Sequence, residues 1–175
     1  MAWKKISSEE VYRNRFMRVT EDEVETESGK RLTYGVVHKK PFALTIPWDG
    51  EKFTLVGEYR YFVNSFSWGF PQGHYEHNSI KQTASQELQE ETGQTAKTIK
   101  KIGSFWIGPG AIGQECFVFF ATDLSEGKFN REETEEGMEI KKVTLTELRE
   151  MIRVGKIKDG PTITALNLLE LSGLM

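Results

Sequence analysis

The sequence predicts an α/β fold that is preceded by a small N-terminal β-domain. Short strand-like segments, separated by turn residues, fill residues 9–45. After them, apolar strand patterns alternate with three stretches of helical periodicity, an arrangement that is typical of α/β domains. One of these helical stretches is strongly acidic and follows a predicted loop at residues 70–73, whose proline and glycine favour a tight turn. We therefore expect a β-domain at residues 1–45 and a main domain at residues 46–175.

The composition of the 175-residue chain excludes several classes of protein. Hydrophobic residues make up 38% and charged residues 28% of the chain, as in a globular protein. The formal net charge of −3 does not indicate a basic surface for nucleic acid, although it leaves small basic patches open. No apolar stretch has the length of a membrane span, and residues 1–6 lack the apolar core of a signal peptide. Cys116 is the only cysteine, which excludes an intramolecular disulfide and suits a reducing cytoplasm.

The N-terminal part of the sequence predicts three short strands, at residues 16–19, 22–26 and 31–34. Ser28, Gly29 and Lys30 are a turn signal between the last two strands, which are therefore expected to form a hairpin. Three short strands bury too little apolar surface to be stable alone. We therefore expect residues 1–45 to pack on the main domain or on a second subunit.

In the main domain, strand patterns alternate with helices that carry apolar stripes. An Asp-Gly pair at residues 49–50 marks a hairpin into a strand that ends at Arg60. Ile80, Ala84 and Leu88 recur every four residues, which predicts an amphipathic helix packed on the sheet. Further patterns predict strands at 98–106, 115–121 and 140–143, a helix after the capping signature of Thr144 and Glu147, and a last helix at 162–171.

Three glutamates of the acidic helix, Glu87, Glu90 and Glu91, share one face because residues three and four apart are neighbours on a helix. Like charges placed so closely repel one another, and a divalent cation would remove this cost. Mg²⁺ is commonly held by a few carboxylates together with the phosphates of a substrate. A solvated acidic face is the alternative for this pattern taken alone. Gly93 suits the end of the helix, since glycine tolerates the left-handed conformation best.

The stretch that contains this helix resembles the signature of the Nudix hydrolases, whose box ends in the pattern R-E-U-x-E-E-x-G-U, where U is aliphatic. The matching positions hold Glu87, Leu88, Glu90, Glu91 and Gly93. The departures are Gln86 for the arginine, Gln94 for the last aliphatic residue, Asn78 for an upstream glutamate, and an interval from Gly73 to Asn78 that is one residue short. Because the metal-ligating positions are retained, the resemblance implies a variant catalytic box.

A second resemblance points to the ADP-ribose pyrophosphatase branch of this family. Pro109 stands sixteen residues after Gly93, in a glycine-rich loop that leads to Glu115 and is similar to the Ser-Pro-Gly loop of that branch. The strand that ends at Arg60 and the order of aromatic residues before residue 46 are similar to that branch as well. The resemblance implies an α/β/α sandwich with a mixed sheet, and an N-terminal β-domain that builds a homodimer.

The resemblance also implies a magnesium site, with Mn²⁺ as an alternative metal. Glu87, Glu91 and the backbone carbonyl of Gln72 would hold the metal, and Glu90 would bind a further metal or hydrogen-bond to the ligands. A glutamate of the acidic loop before residue 140 would act as the general base. The candidates for this role are Glu136 first and Glu135 second.

Several residues are expected to contact the substrate. Arg60 would clamp phosphate oxygens with its planar guanidinium, and the loop with Pro109 and Glu115 would lie beside the sugar. Phe16 and Tyr34 match positions where the branch stacks the base, although aromatic residues of small β-domains are more often packed. The two histidines after the glycine loop, His74 and His77, are more often polar surface residues than metal ligands.

The implied reaction is hydrolysis of the pyrophosphate bond of a nucleoside diphosphate sugar, such as ADP-ribose or GDP-mannose. Its products are a nucleoside monophosphate and a sugar phosphate. Two alternatives stay open. Residues 68–73 resemble equally the dinucleoside polyphosphate and RNA 5′-pyrophosphate hydrolases of the family. Gln86 and Asn78 also leave open a non-catalytic nucleotide-binding module, because a glutamine cannot neutralise the neighbouring glutamates.

Overall fold

The computed structural model describes residues 3–75, 79–128 and 137–175. The strands in this part of the chain are β1 (Lys4–Arg13), β2 (Met17–Glu25), β3 (Arg31–Lys39), β4 (Phe42–Pro47), β5 (Phe53–Arg60), β6 (Ser65–Gly69), β7 (Gln72–His74), β8 (Gln94–Gly108), β9 (Ile112–Glu126) and β10 (Glu139–Val143). The helices are α1 (Ile80–Thr92), α2 (Leu145–Arg153) and α3 (Gly160–Leu171).

The chain divides into two compact units. Unit 1 comprises Met1–Pro41 and Phe105–Glu115, and unit 2 comprises Phe42–Ser104 and Cys116–Met175. Strands β8 and β9 therefore each contribute residues to both units. The predicted boundary between residues 45 and 46 falls inside β4, and the division into functional domains stays a prediction.

Unit 1 is built on an antiparallel meander. β1 pairs with β2, and β2 pairs with β3 through a turn in which Gly29 has a φ of 77°. β3 then pairs in parallel with the first residues of β9, where Val37 lies opposite Ile112. All ten residues of β1 are exposed. The predicted hairpin at Gly29 is confirmed.

The prediction of separate strands at residues 16–19 and 22–26 is wrong, because β2 runs through both without a break. β1, for which no strand is predicted, explains the difference. Asp22 lies on the buried face of β2, accepts a hydrogen bond from Ser8 of β1 and pairs with Lys5 at 3.4 Å. The polar residues that suggest an interruption are therefore partners of the neighbouring strand.

Unit 2 contains a mixed sheet and a smaller antiparallel one. β4 lies between β9, to which it is parallel, and β7, to which it is antiparallel. In the second sheet, β5 pairs with β6 on one side and with β10 on the other. Helices α1 and α3 pack on β4, and α2 contacts β10. The predicted α/β class with a mixed sheet is confirmed.

The core of unit 2 is centred on β4, whose six residues are all buried. A strand with neighbours on both edges and helices against it reads as a continuous apolar run, as this one does. Ala84 and Leu88 of α1 are fully buried, and Ala84 packs with Ala43 and Phe119. The Thr45 hydroxyl donates a hydrogen bond to the Ala84 carbonyl at 2.9 Å. The predicted apolar face of α1 is confirmed, and it fixes this helix on the sheet.

The helix ends follow the capping residues in the sequence. Gly93 ends α1 with a φ of 70°, and Thr144 and Glu147 form the predicted capping box of α2. α3 begins two residues before its predicted start, because Asp159 caps it and a proline follows in its first turn. Among the described residues, no helix is long and apolar enough to cross a membrane.

Candidate active site

Helix α1 presents its glutamates beside the short strand β7. The Ser79 hydroxyl caps the helix by accepting a hydrogen bond from the Gln82 N–H, and the buried residues Ala84 and Leu88 fix its rotation on the sheet. Glu91 consequently points inward and is only 6% exposed, whereas Glu87 and Glu90 are half-buried. The helix therefore carries one carboxylate into the interior and two to its rim.

Glu91 is connected to the backbone of β7. Its Oε2 atom accepts a hydrogen bond from the Gln72 N–H at 3.2 Å. A buried carboxylate is costly unless hydrogen bonds or cations compensate its charge. This contact fixes the Glu91 carboxylate next to Gln72, whose backbone carbonyl is predicted to hold the metal.

Glu87 lies against Gly73 in the same strand. A Cβ atom built on Gly73 would lie 2.0 Å from the Glu87 carboxyl carbon, so the carboxylate occupies the space of a missing side chain. The prediction of a loop at residues 70–73 is wrong for its second half, because Gln72 and Gly73 pair with Leu44 and Ala43 of β4. Glycine within a strand is typical of such a close approach.

A small pocket in unit 2 brings together three of the predicted residues, Arg60, Gln72 and Glu91. Its other lining residues are Val56, Glu58, Ser67, Trp68, Gly69, Phe70 and Asp159. The Arg60 guanidinium pairs with the Glu58 carboxylate at 2.7 Å and stays half exposed. Three carboxylates and one guanidinium leave this lining net negative, so it would repel a pyrophosphate unless a cation were bound as well.

The Gln72 side chain provides an observation that bears on a metal. Its Oε1 atom is buried and has no hydrogen-bond partner in the described part of the chain. Such an atom costs about 1–3 kcal/mol, and a bound cation or the donor group of a ligand would satisfy it. Like the buried Glu91 carboxylate and the Glu87 carboxylate in its glycine cradle, it is an oxygen donor, the type of ligand that Mg²⁺ prefers.

No group of three or more His, Cys, Asp or Glu side chains within residues 3–75, 79–128 and 137–175 is arranged to hold a metal ion. Mg²⁺ does not require such a group, because it is usually bound by one or two carboxylates, water and the phosphates of its substrate. The metal roles of Glu87, Glu91 and Gln72 therefore stay predictions.

The remaining substrate-binding candidates lie in unit 1. The Tyr34 hydroxyl donates a hydrogen bond to the carbonyl of Gly110, the residue after Pro109. The Tyr34 ring also meets the ring of Trp3 edge to face, with 6.0 Å between centroids. Phe16 is 61% exposed, with the guanidinium of the preceding arginine 4.4 Å from its ring centroid. Tyr34 and Pro109 are thus neighbours, while Phe16 lies apart at the start of β2.

Other candidates fall outside these contacts. Glu115 is half-buried at the end of unit 1, and His74 is exposed, with its ring 6.4 Å from that of Phe42. The predicted general bases, Glu135 and Glu136, lie outside the described residues, as do His77 and Asn78.

Two charged pocket residues, Glu58 and Asp159, are absent from the sequence predictions. Glu58 had a usable signal, because it stands two residues before Arg60 and alternate residues of a strand share a face. Asp159 had none, since a helix-capping aspartate looks the same wherever its helix lies. Trp68 also lines the pocket, and the Lys141 ammonium lies 4.6 Å from its ring centroid.

Two models of protein families match this chain. The family model of the NUDIX domain matches residues 39–165. A second model, of the nucleoside diphosphate sugar hydrolase N-terminal domain, matches residues 3–37. Together the two models match most of the chain.

Curated relatives and solved structures are similar over nearly the whole chain. An ADP-ribose pyrophosphatase of Bacillus subtilis (strain 168) is 29% identical over 96% of this chain and 92% of its own length. A methanol dehydrogenase activator of Bacillus methanolicus is 27% identical over the same shares. A crystal structure of an ADP compounds hydrolase has the same fold, with a TM-score of 0.87 at 20% identity over 98% of this chain and 94% of that one.

A third relative matches less of the chain. A GDP-mannose pyrophosphatase of Enterobacter sp. (strain 638) is 30% identical over 51% of this chain and 48% of its own length. The predicted family, fold and class of enzyme are confirmed by these matches. The glutamates of α1 beside Gln72 and Gly73 agree with the NUDIX domain match. The match over residues 39–165 establishes that the chain belongs to the Nudix hydrolases.

Proposed function

We propose that the chain hydrolyses the pyrophosphate bond of nucleoside diphosphate sugars, with ADP-ribose as the preferred substrate and GDP-mannose as the next candidate. The main observation in support of this proposal is the pocket that Arg60, Gln72 and Glu91 line together. The model of the nucleoside diphosphate sugar hydrolase N-terminal domain and the full-length similarity to an ADP-ribose pyrophosphatase support this choice.

The reaction consumes one water molecule. The water oxygen forms a bond to one phosphorus atom, and the anhydride bond between that phosphorus and the bridging oxygen breaks. One water proton passes to a general base and from there to the surroundings or the leaving phosphate. The other stays on the new phosphate or is lost to the surroundings. From ADP-ribose the products are AMP and ribose 5-phosphate.

A divalent cation, Mg²⁺ or in its place Mn²⁺, is part of the proposal. Glu87 and Glu91 would hold it, with oxygen atoms of Gln72, and Glu90 would bind a further cation or hydrogen-bond to these ligands. When bound, the cation would neutralise the charge of the pyrophosphate and polarise its oxygens. The cradle at Gly73 and the unpaired Gln72 Oε1 atom support this assignment.

The chain's own side chains have separate roles in the proposal. Arg60, held by Glu58 at 2.7 Å, orients the pyrophosphate through its guanidinium. The Gln72 N–H holds the Glu91 carboxylate in place. Glu136, or Glu135, would remove the proton from the attacking water. Phe16, Tyr34, Pro109 and Glu115 are proposed to contact the base and the sugar.

A homodimer built through residues 1–45 is also proposed, as is a cytoplasmic location, which a single buried cysteine suits. The support for a dimer is the exposed apolar surface of β1, where Val11 is 49% and Tyr12 50% exposed. Light scattering should give twice the chain mass of 20.1 kDa, and Val11→Glu should lower it. A wild-type mass near 20.1 kDa at micromolar concentration would contradict the dimer.

The substrate proposal is tested by comparing kcat/KM for four compounds under one Mg²⁺ concentration. ADP-ribose and GDP-mannose should be preferred over diadenosine tetraphosphate and 5′-triphosphorylated RNA. If either of the last two is preferred by tenfold or more, about 1.4 kcal/mol of transition-state stabilisation, the substrate class is wrong. Binding of all four compounds without release of any product would instead identify a non-catalytic nucleotide-binding module.

A further inference from the structure

The N-terminus of α3 is hydrogen-bonded to the segment that leads into the pocket. Thr162 is fully buried, and its hydroxyl accepts a hydrogen bond from the Phe70 N–H at 2.9 Å. Because the Phe70 amide can only donate, the hydroxyl proton is directed to Asp159 Oδ2, at 2.7 Å. The same oxygen accepts from the Thr162 N–H at 2.9 Å. The hydroxyl and the carboxylate thus form one chain of hydrogen bonds.

The backbone of Phe70, Pro71 and Gln72 connects these hydrogen bonds to the buried carboxylate of Glu91. Only two of these residues have an N–H group, since proline has none. The Phe70 N–H donates to Thr162, and the Gln72 N–H donates to Glu91. The Pro71 carbonyl accepts from the backbone of β4 at 2.9 Å. The segment is therefore fixed by α3 at one end, by α1 at the other and by β4 between them.

The approach of β6 to α3 leaves no room for a side chain at residue 69. A Cβ atom built on Gly69 would lie 2.9 Å from Thr162 Oγ1 and 3.3 Å from Asp159 Oδ2. Asp159 itself lines the pocket together with Arg60 and Glu91. The contact therefore forms part of the pocket wall, and a change in it would be transmitted over two residues to Gln72.

We propose that Asp159 and Thr162 are positioning residues, which fix the backbone of residues 70–72 and thereby the Gln72 N–H that holds the Glu91 carboxylate. The proposal rests on the proposed function for its kinetic consequence, while the hydrogen bonds themselves are open to a test without substrate. A displacement of about 1 Å in a reacting group costs on the order of 100-fold in rate. Loss of the Thr162 hydroxyl should therefore lower kcat, and KM should change little because Arg60 is untouched.

The test compares Thr162→Val, which removes the hydroxyl and keeps the shape, with Thr162→Ser, which keeps the hydroxyl. With ADP-ribose and Mg²⁺, Thr162→Val should lower kcat by about 10- to 100-fold while KM stays within a factor of about three. Thr162→Ser should restore kcat. Hydrogen exchange followed by NMR should show faster exchange at the Phe70 and Gln72 amides in Thr162→Val and not in Thr162→Ser.

Thr144→Val is the matched control, because Thr144 caps α2 and loss of its hydroxyl also breaks hydrogen bonds at a helix N-terminus. Its hydroxyl accepts a hydrogen bond from the Glu147 N–H at 3.3 Å, within its own helix. Thr144→Val should lower the melting temperature by a similar amount and leave kcat and the Phe70 amide unchanged.

A wild-type kcat together with unchanged exchange at Phe70 in Thr162→Val would overturn the proposal. An equal loss of kcat in Thr144→Val would overturn it too, because the effect would then follow from stability alone. If the wild-type protein hydrolyses no nucleoside diphosphate sugar, the proposed function fails, and hydrogen exchange decides the positioning role separately. Faster exchange at both amides would then support that role, and faster exchange at Phe70 alone would overturn it.

Discussion

Strands β1 and β4 show how differently the two units are stabilised. All ten residues of β1 are exposed, and it pairs on one edge only, with β2, among the described strands. All six residues of β4 are buried, and it pairs on both edges, with β9 and β7. The sequence of β1 is mostly charged and polar, whereas that of β4 is a nearly continuous apolar run.

The comparison shows which unit can hold side chains in a fixed arrangement. Helices α1 and α3 pack on β4, so the strand holds both of the helices that contact the pocket segment. β1 is held by its ladder and by side-chain contacts such as the ion pair of Lys5 with Asp22, in which the Lys5 side chain is 58% exposed. We therefore assign the chemistry to unit 2 and expect unit 1 to gain stability from a partner.

Truncation of one apolar side chain in β4 and one in β1 should give the largest difference in the free energy of unfolding. Leu44→Ala in β4 should destabilise the protein by about 2–5 kcal/mol, because Leu44 is fully buried and a cavity would remain. Val11→Ala in β1 should change the free energy of unfolding by less than about 0.5 kcal/mol, because Val11 is 49% exposed. Urea unfolding at one low protein concentration measures both.

The protein concentration matters for this comparison, because binding between subunits adds to the apparent stability. If Val11→Ala costs as much as Leu44→Ala under conditions where the chain is monomeric, β1 is not the weakly held strand described above.

A pair of glycines gives the next largest contrast. Gly73→Ala should lower the rate of hydrolysis by about 10- to 100-fold, because a Cβ at residue 73 would lie 2.0 Å from the Glu87 carboxyl group and displace it. The fold should persist, since the displaced group is the end of a flexible side chain. Gly35→Ala in β3 should leave the rate unchanged, because no atom lies within 4 Å of a Cβ at that position. Equal rates of hydrolysis for Gly73→Ala and Gly35→Ala would contradict a role of Glu87 in the active site.

The smallest expected effect is a pH dependence in unit 1. The hydrogen bond from Ser8, helped by Thr20 and Lys5, lowers the pKa of Asp22 below its ordinary value of 3.8 although burial acts in the opposite direction. Asp22 therefore adds stability above that ordinary pKa, and this stability is lost as the pH falls through the lowered pKa. Ser8→Ala should reduce the loss on acidification below pH 3.8.

Ser7→Ala is the matched control for Ser8→Ala, since the Ser7 hydroxyl donates to Glu23 at 3.5 Å and not to Asp22. Thermal melts at a series of acid pH values measure the effect. An acid dependence that Ser8→Ala leaves unchanged would show that Asp22 does not contribute it.

Local patterns in the sequence predicted the parts of the site that lie within one element. The apolar stripe of Ile80, Ala84 and Leu88 predicted which face of α1 packs on the sheet, and Gly93 predicted where the helix ends. The strand pattern before residue 61 gave Arg60 at the end of β5. These features depend on periodicity and capping, which a sequence carries directly.

The contacts that close the site depend on tertiary structure instead. Thr162 meets Phe70 across 92 residues of sequence, and no pattern in either segment indicates the other. β7 forms because residues 72–74 find a partner in β4, although a proline and a glycine suggest a loop. Tertiary pairing also explains why β2 is continuous, because its polar residue Asp22 is hydrogen-bonded by β1, a strand that the sequence did not predict.

The central claim is that the buried carboxylate of Glu91 takes part in hydrolysis of the pyrophosphate bond. The most direct measurement is AMP release from ADP-ribose by Glu91→Gln in the presence of Mg²⁺, with the exposed Glu170→Gln of α3 as the control. We predict a loss of more than about 100-fold for Glu91→Gln, beyond the usual effect of residues that only support a metal ligand. Its melting temperature without Mg²⁺ should hold or rise, because a buried charge is removed. Wild-type turnover by a folded Glu91→Gln variant would contradict the claim.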